Sequence, residues 1–333
     1  MDKKFDIIVV GGGLVGLSVA FKIQQKSPSK KILLIEKENE LSSHQSGRNS
    51  GVIHSGLYYK PGSLRAENCV SGRHALVDFA KQYNIRHDVC GKLVVATNQK
   101  EFHMLPDLLK RGKENGLRNL RVLNSNEIKE IEPFVTGLGA ISVPETGIID
   151  YRQMAEKLAS LIQYINPKST ILKSTEVVDF ITQSNESIVI TNKQRFKCQN
   201  IIFCGGLFSD RLAKKDNLHL NMKIVGFRGD YYTLSCAAKH KVRNLIYPVP
   251  NPEFPFLGVH FTRMTNGEIE CGPNAVFTFK REGYGKLDFN LKDTFDALSY
   301  MGTWKLFKKH WRFGLNEMVK ASSKSFFLNH LKQ

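Results

Sequence analysis

The sequence has 333 residues, of which 41% are hydrophobic and 24% are charged, as is ordinary for a soluble globular protein with one large core or two coupled domains. No apolar run reaches the roughly 18 residues that a membrane-spanning helix requires, so an integral membrane protein is excluded. The 48 Lys and Arg residues outnumber the 31 Asp and Glu residues. The resulting net charge of +17 favours an acidic partner, whether nucleic acid, an anionic membrane surface or an anionic substrate.

The first forty residues carry a nucleotide-binding pattern. Residues 5–10 form a short β-branched apolar run that predicts a buried parallel strand. This run leads directly into Gly11, Gly13 and Gly16, which are spaced as GxGxxG. Such glycines permit a tight turn, let a pyrophosphate approach the backbone, and let the following helix pack closely on the strand. We predict that helix from Leu17 to about Gln25, with its free N–H groups facing the phosphates.

A second apolar strand, residues 31–35, ends at Glu36, about 20 residues beyond the last glycine. An acidic side chain here accepts hydrogen bonds from a ribose 2′-hydroxyl and would repel a phosphorylated ribose, so NADP is disfavoured. The whole pattern predicts a dinucleotide site rather than a structural turn. A secretory signal peptide over residues 3–21 is the competing interpretation. We reject it because cleavage near Ala20 would destroy a complete nucleotide motif.

The cysteines are widely spaced and form no CxxC pair. A chain of this length does not need disulfides for stability, so we predict reduced thiols and a cytoplasmic location. The six positions are Cys69, Cys90, Cys198, Cys204, Cys236 and Cys271.

Residues 46–59 form a glycine- and serine-rich loop after the acid-ended strand. Such a loop can wrap a cofactor with backbone N–H groups, and it offers His54 and Tyr58 as polar groups beside it. As an isolated pattern it is equally compatible with a surface loop.

This loop and the opening motif resemble the FAD-dependent oxidoreductases of the D-amino-acid oxidase superfamily, and specifically the L-2-hydroxyglutarate dehydrogenase/oxidase family. The runs NSGVIHSG (49–56) and PFLGVHFT (255–262) are far more specific than the glycine pattern. The likeness covers nearly the whole chain and continues through residues 59–64, 90–93, 146–152, 227–231, 246–250, 254–262 and 272–275.

The resemblance implies an α/β fold with a Rossmann-like FAD-binding domain and an interleaved β-rich α+β substrate domain, as in D-amino-acid oxidase. We assign residues 1–90 and 146–217 to the FAD-binding domain, and residues 91–145 and 218–333 to the substrate domain. Hydrophobic periodicity predicts helices over 65–85 and 151–165, strands over 91–97, 176–180 and 196–203, and β-rich sequence over 218–285.

Residues 301–333 carry Trp304 and Trp311 near one helical face, with lysines off that face. We predict a helix whose aromatic face packs on the substrate domain, and an interfacial membrane helix is the alternative. Members of the resembled family continue with a glycine-rich segment that returns to the flavin. We expect this C-terminal return to be missing here, which leaves a truncated non-catalytic homologue as one alternative interpretation.

The resemblance implies FAD as the cofactor and a small dicarboxylate, L-2-hydroxyglutarate, as the substrate. Oxidation to 2-oxoglutarate would pass a hydride to the flavin and electrons onward to oxygen or a membrane quinone, with peripheral contact at the inner membrane. His54 and His260 are rival candidates for the catalytic base. Arg228, Tyr247 and Tyr58 are the candidate substrate-binding residues.

The candidate cofactor-binding residues are Gly11, Gly13, Gly16, Glu36, Lys37, Ser46, Asn49, Ser50, Val177 and Gly205, with Val177 assigned from the resemblance. We predict no metal site. Two alternatives keep the fold but change the substrate: an amine or amino-acid oxidase, and a flavoprotein that modifies RNA. The second would need a basic stripe with exposed aromatic residues, which only residues 301–333 suggest, so nucleic acid is not the expected partner.

Overall fold

The computed structural model describes residues 3–183, 186–250 and 258–331. Its strands, in chain order, are β1 (Lys3–Val10), β2 (Ile32–Ile35), β3 (Val52–Ile53), β4 (His87–Asp88), β5 (Lys92–Ala96), β6 (Arg121–Leu123), β7 (Gly139–Val143), β8 (Gly147–Ile149), β9 (Thr170–Leu172), β10 (Val177–Ile181), β11 (Ser187–Thr191), β12 (Arg195–Phe203), β13 (Phe227–Arg228), β14 (Tyr232–Thr233), β15 (Leu245–Pro248), β16 (His260–Arg263), β17 (Ile269–Gly272) and β18 (Val276–Phe277).

The α-helices are α1 (Leu14–Lys26), α2 (Leu64–Gln82), α3 (Gln99–Glu114), α4 (Ser125–Ile131), α5 (Tyr151–Ile165), α6 (Ser209–Lys215), α7 (Leu291–Leu298), α8 (Met301–Ser322) and α9 (Lys324–Leu331). Short 3₁₀ helices span Gly206–Phe208 and Cys236–Lys241. Among the residues described, no helix combines the length and the apolar character needed to cross a membrane.

The first sheet has six strands in the order β10-β11-β12-β1-β2-β9. The strands β12, β1, β2 and β9 are parallel, whereas β10 and β11 form an antiparallel edge. Helices α1 and α5 cover one face, where Leu17, Phe21 and Leu158 pack on Val9 and Leu34. Because both faces of the sheet are covered here, β2 and the second half of β1, from Ile7 to Val10, are wholly apolar, as the sequence predicts for a Rossmann-like sheet.

The second sheet has seven strands in the order β14-β17-β16-β15-β5-β7-β6, and two small sheets have the orders β3-β8-β4 and β13-β18. Side chains from α3 and α4, among them Leu105 and Ile128, bury the second sheet. The first sheet draws its strands from residues 3–35 and 170–203, and the second from residues 92–143 and 232–272. The two sheets are therefore interleaved along the chain, and the domain boundaries assigned above remain our interpretation.

The C-terminal helix differs from expectation. The helix α8 bends at His310, where φ is −122°, and it leaves Trp304 and Trp311 at 53% and 56% exposure. The prediction that its aromatic face packs on the substrate domain is therefore wrong for these two residues, but Phe307 on the same face packs edge-on against Phe277 of β18, with ring centres 5.2 Å apart. The helix also has a polar contact with the strand region, since buried Glu317 accepts hydrogen bonds from the Ala275 N–H and the Lys320 ammonium.

Part of the predicted substrate sheet lies outside the described residues. These are residues 251–257, which include Pro252 and Pro255 and the beginning of the PFLGVHFT run. The described part, from residue 258 onward, contains His260 at the start of β16.

Candidate functional site

A cavity of about 1170 Å³ opens at the carboxyl ends of β1 and β2, and we call it the nucleotide cavity. The GxGxxG turn, the acid-ended strand, the loop after it and the start of β10 all contribute to its walls. Of the residues proposed for FAD, the cavity is lined by Gly11, Gly13, Glu36, Lys37, Ser46, Asn49, Val177 and Gly205.

The glycine turn fits a pyrophosphate. Gly11 has a φ of +113°, and a Cβ there would lie 2.3 Å from the Cys204 carbonyl oxygen. A Cβ on Gly16 would lie 2.0 Å from the Gly11 carbonyl oxygen, so this glycine serves helix packing rather than lining the cavity. Gly13 is an extended N-cap residue without a capping side chain, and a Cβ there would meet the Ser46 Oγ at 2.9 Å. The first turn of α1 thus points N–H groups into the cavity, where an anion is favoured.

Glu36 is buried, and both of its oxygens are held by the backbone. Its Oε2 accepts a hydrogen bond from the Gly12 N–H at 2.6 Å, and its Oε1 accepts one from the Glu38 N–H at 2.9 Å. Each carboxylate oxygen has a further lone pair, so the same group can still accept from ribose hydroxyls. The backbone bonds fix the direction in which it does so.

Lys37 lies at the rim of the nucleotide cavity within a charged cluster. Its Nζ is 2.6 Å from a carboxylate oxygen of Glu282, pairs with Glu38, and lies 3.1 Å from the Nε2 atom of His44. Burial opposes the charge on Lys37, but the hydrogen bonds to both glutamates outweigh it and raise the Lys37 pKa. Glu38, His44 and Glu282 carry metal-ligating atoms close together. The Lys37 ammonium already supplies positive charge among them.

Asn49 and Ser50 make hydrogen bonds that stabilise the loop after Glu36. The Asn49 side-chain amide donates to the carbonyls of Gln45 and Ser46, and its oxygen accepts from the Gly51 N–H. The Ser50 hydroxyl hydrogen-bonds with Tyr247 on β15. Ser50, which we predicted to bind the cofactor, therefore links the nucleotide cavity to the second sheet.

A second group of polar residues lies at that sheet and on the loop after β3. It consists of Tyr58, Lys92, Tyr247 and His260, with His54 nearby, and we call it the Lys92 cluster. The Lys92 Nζ lies 4.4 Å from the ring centre of Tyr58 and 4.9 Å from that of Tyr247. Tyr247 in turn stacks on His260, with ring centres 3.9 Å apart and an interplanar angle of 19°. The structure therefore brings together both histidines and both tyrosines that the sequence predicted.

His260 is held as a neutral imidazole. Burial is the main cause that lowers its pKa to about 4, and the nearby Lys92 charge adds to that shift. The His260 Nδ1 lies 2.9 Å from the Gly258 carbonyl oxygen. A carbonyl only accepts, so Nδ1 carries the proton and Nε2 keeps a free lone pair that can accept a proton.

The surrounding protein also lowers the pKa of His54, and both Lys92 and His260 contribute to that shift. The His54 side chain nevertheless remains exposed to solvent. Because water reaches its ring, we expect a smaller shift for His54 than for His260, which is buried.

Lys92 is the functional candidate that sequence reasoning missed. It is 3% exposed and begins β5, whose five residues are all buried. The available signal in the sequence was a lysine at the start of an apolar segment that otherwise predicts a core strand. Its contacts come from Tyr58 and Tyr247, which are distant in sequence, so the pattern within the strand did not show its role.

The Arg228 guanidinium, which we predicted to bind a substrate carboxylate, is paired within the protein. Its Nε lies 2.6 Å from Oδ1 of Asp230, its second terminal nitrogen lies 3.3 Å from Oδ2, and its first donates to the Gly285 carbonyl at 2.6 Å. The guanidinium fork predicted for a substrate carboxylate is thus occupied by a protein carboxylate. The adjacent Gly229 does not leave room for a ligand either, since its Cβ position would lie 2.7 Å from Pro273.

These features are matched by comparison with known proteins. A sequence model of the family described as FAD dependent oxidoreductase matches residues 6–306. The chain belongs to this family. It is an FAD-dependent oxidoreductase, and the glycine turn, helix start and Glu36 described above would hold the pyrophosphate and ribose of its cofactor.

Similar proteins agree with that assignment. The L-2-hydroxyglutarate dehydrogenase of Indibacter alkaliphilus is 46% identical, over 99% of this chain and 82% of its own length. The mitochondrial L-2-hydroxyglutarate dehydrogenase of Homo sapiens is 43% identical, over 96% of this chain and 71% of its own. The predicted family resemblance and the predicted cofactor are therefore confirmed.

Solved structures confirm the fold. The FAD-bound L-alpha-glycerophosphate oxidase of Mycoplasma pneumoniae gives a TM-score of 0.76 at 25% identity, over 91% of this chain and 78% of its own. Glycine oxidase from Geobacillus kaustophilus gives 0.72 at 17% identity, over 90% of this chain and 78% of its own. The predicted combination of a Rossmann-like FAD domain and a β-rich domain is the fold of these proteins.

Proposed function

We propose that this chain oxidises the Cα–OH of L-2-hydroxyglutarate to the ketone of 2-oxoglutarate. The proposal is supported by the 46% identity to a dehydrogenase named for this substrate, over 99% of the chain. It is carried in the structure by a buried neutral histidine, His260, held next to a buried cation, Lys92.

The reaction needs a proton acceptor for the hydroxyl and a hydride acceptor for the Cα–H. FAD supplies the hydride acceptor when it is bound. We assign the proton to Nε2 of His260, because the Nδ1–H bond to the Gly258 carbonyl leaves that nitrogen unprotonated. His54 is the rival base. Its solvent exposure makes it less dependent on the protein for its protonation state.

Anaerobic mixing tests the substrate. The FAD-loaded protein is mixed without oxygen with L-2-hydroxyglutarate, D-2-hydroxyglutarate, L-lactate or glycine, and the flavin absorbance is followed. We expect rapid bleaching with L-2-hydroxyglutarate alone. Bleaching by glycine instead would favour an amine oxidase. If dithionite bleaches the flavin and none of the four compounds does, the proposed reaction is wrong.

We also propose that the protein makes a peripheral contact with an anionic membrane, where electrons pass to a quinone. An apolar groove of about 470 Å³ between β18 and α8 is lined by Phe277, Phe307 and Trp311 among other apolar residues. On the same helix Lys305, Lys308, Lys309 and Arg312 are exposed. Apolar side chains beside basic ones are typical of helices that bind anionic lipid surfaces.

Vesicle sedimentation tests this contact. With vesicles containing anionic lipid we expect binding at low salt and release at high salt, and with neutral vesicles we expect little binding. Replacing Trp311 with Glu should weaken binding without changing flavin content. If the protein stays in the supernatant with anionic vesicles at low salt, the membrane contact is wrong. Faster reoxidation of the reduced flavin by a soluble quinone than by oxygen would identify the acceptor.

A further inference from the structure

Lys92 is placed in the middle of the second sheet. Its strand β5 lies between β15 and β7, and Lys92 pairs with Leu245 on one side and Val143 on the other. Both neighbours are buried hydrophobic residues, and Lys92 itself is 3% exposed. A strand position of this kind normally carries an apolar side chain, because burying an ammonium costs several kcal/mol unless a counter-charge is present.

The groups around the ammonium do not supply that counter-charge. The Lys92 Nζ lies 3.3 Å from the Tyr58 hydroxyl, and the rings of Tyr58 and Tyr247 flank it. Ring faces attract a cation, but only by about 0.5–2 kcal/mol. Within residues 3–183, 186–250 and 258–331, no carboxylate lies within 4.0 Å of the Lys92 ammonium.

Other buried cations of this protein are paired. Arg73 has Glu145 at 2.8 Å, and Lys320 has Glu317 at 2.8 Å. Arg281 is paired with Asp210. All three are as inaccessible as Lys92 or nearly so. The fold thus provides a carboxylate partner for each of these three buried cations. Within the described residues it provides none for Lys92, the cation beside the candidate base His260.

We infer that the Lys92 ammonium binds a carboxylate of the dicarboxylate substrate, which completes the ion pair that the protein leaves open. This rests on the proposed function and assigns to Lys92 the charge-neutralising role that Arg228 cannot take while Asp230 occupies it. The lysine then orients the substrate for His260, to which it is linked through the ring of Tyr247.

The titratable groups facing Lys92 come from several elements. His54 and Tyr58 lie on the loop after β3, Cys69 on α2, Tyr247 on β15 and His260 on β16. Burial lowers the pKa of Lys92 to about 7, and burial also raises the pKa of the Tyr58 hydroxyl and of the Cys69 thiol. Near neutral pH these neighbours are uncharged, so the protonation of Lys92 itself governs the charge of the cluster.

A bound carboxylate favours the ammonium form of Lys92. Binding above pH 7 must therefore take up a proton, and the Kd must rise by about tenfold per pH unit once most of the lysine is neutral. Below pH 7 the lysine is already charged, and the Kd is nearly independent of pH until the substrate carboxylates themselves become protonated.

Glutarate is the probe, because it has two carboxylates and no hydroxyl to oxidise. Its Kd for the FAD-loaded protein is measured from the flavin absorbance change, and proton uptake from calorimetry in buffers of different ionisation enthalpy. For the native protein at pH 8.5 we expect uptake of close to one proton, and at pH 6 almost none. No proton uptake at pH 8.5 would overturn the inference without any variant.

Two variants sharpen the test. Lys92→Met should weaken glutarate binding at pH 6 by about tenfold to hundredfold, the usual effect of losing a charged hydrogen bond, and should remove the proton uptake. Lys92→Arg should bind glutarate without proton uptake up to pH 9, since a guanidinium does not titrate there. The same substitution at an exposed lysine, Lys110→Met, is the control and should change neither quantity.

The outcomes separate this inference from the proposed function. Native glutarate binding by Lys92→Met would exclude Lys92 as the carboxylate site even if L-2-hydroxyglutarate reduces the flavin. Loss of glutarate binding in that variant, with flavin content retained, would support Lys92 even if a different dicarboxylate proves to be the substrate.

Discussion

The nucleotide cavity and the Lys92 cluster differ in how far apart in the sequence their residues lie. Gly11, Gly13 and Glu36 belong to one strand-turn-helix-strand unit within the first forty residues. Tyr58, Lys92, Tyr247 and His260 come from separate segments that meet only when the second sheet forms. A local motif therefore predicts the candidate cofactor site, whereas the substrate site that we propose depends on long-range packing.

The two regions also differ in how their charges are paired. At the rim of the nucleotide cavity, Lys37 is paired with Glu38 and Glu282, and Arg211 with Asp293 and Asp296. In the Lys92 cluster the described counterparts of the ammonium are the Tyr58 hydroxyl and the rings of Tyr58 and Tyr247. The first arrangement is stable without a ligand, while the second gains stability when an anion binds.

Gly13→Val should have the largest effect, because it tests whether the local motif alone holds the cofactor. The new side chain would meet Ser46 and occupy the space of the pyrophosphate. We expect the affinity for FAD to fall by roughly fivefold to 150-fold, since overpacking costs about 1–3 kcal/mol, and bound FAD should fall well below the native content. Flavin absorbance of the purified variant measures this.

Gly72→Val is the matched control. Gly72 lies in α2, and a Cβ there meets no atom within 4 Å. Its flavin content should equal that of the native protein. Native flavin content in Gly13→Val would remove the phosphate role from the glycine turn.

His260→Ala should have the next largest effect, because it tests whether the long-range cluster carries the chemistry. We expect kcat to fall by about a hundredfold or more, the usual range for a general base, with FAD retained. Protonation of His260 removes the free lone pair that accepts the substrate proton. The kcat of the native enzyme should therefore fall because of this histidine only as the pH falls toward about 4. Steady-state kinetics from about pH 3.5 to 8 measure both effects.

His54→Ala is the comparison. If His54→Ala loses kcat while His260→Ala keeps it, the two histidines exchange roles. If both variants retain full activity, neither histidine is the base.

The sequence was sufficient to predict the nucleotide cavity and insufficient to predict the Lys92 cluster, for physical reasons. The strand and glycine turn were predicted correctly, and only the start of α1 differed, at Leu14 rather than Leu17, because Gly13 acts as its N-cap. Lys92 was missed because a single strand does not show which rings will flank it. The pairing of Arg228 was not predicted, because a sequence does not show that the Asp230 carboxylate, two residues further on, accepts hydrogen bonds from the guanidinium.

Lys92→Met should have a smaller effect, and we expect it to raise the free energy of unfolding rather than lower it. Burial lowers the Lys92 pKa from 10.5 to about 7, so the folded state binds fewer protons than the unfolded state between these values. Native stability then rises with pH across this window, and below pH 7 the full penalty of charging the lysine is present. Removing the amine relieves that penalty, and losing the cation–π contacts offsets part of it.

We expect the unfolding free energy of Lys92→Met to exceed the native value by about 2 kcal/mol at pH 7, and the gain to disappear near pH 10. Urea unfolding at matched FAD concentration measures it, with Lys110→Met as the control. A loss of stability at pH 7 would show that the lysine is a structural cation with a partner in the protein.

Arg228→Lys should have the smallest effect. It tests whether Arg228, the cation that we predicted from the sequence to bind a substrate carboxylate, belongs to the substrate site at all. Lysine keeps the charge beside Asp230 but loses the two-pronged contact and the bond to the Gly285 carbonyl. We expect a loss of about 1 kcal/mol in unfolding free energy, near the upper end for a partly buried pair, with KM for L-2-hydroxyglutarate within about twofold of native. The exposed Arg121, whose nearest Glu127 oxygen is 3.8 Å away, provides the control Arg121→Lys, which should change neither quantity. A tenfold rise in KM for Arg228→Lys with unchanged stability would return Arg228 to the substrate site and leave Lys92 as a second cation rather than its replacement.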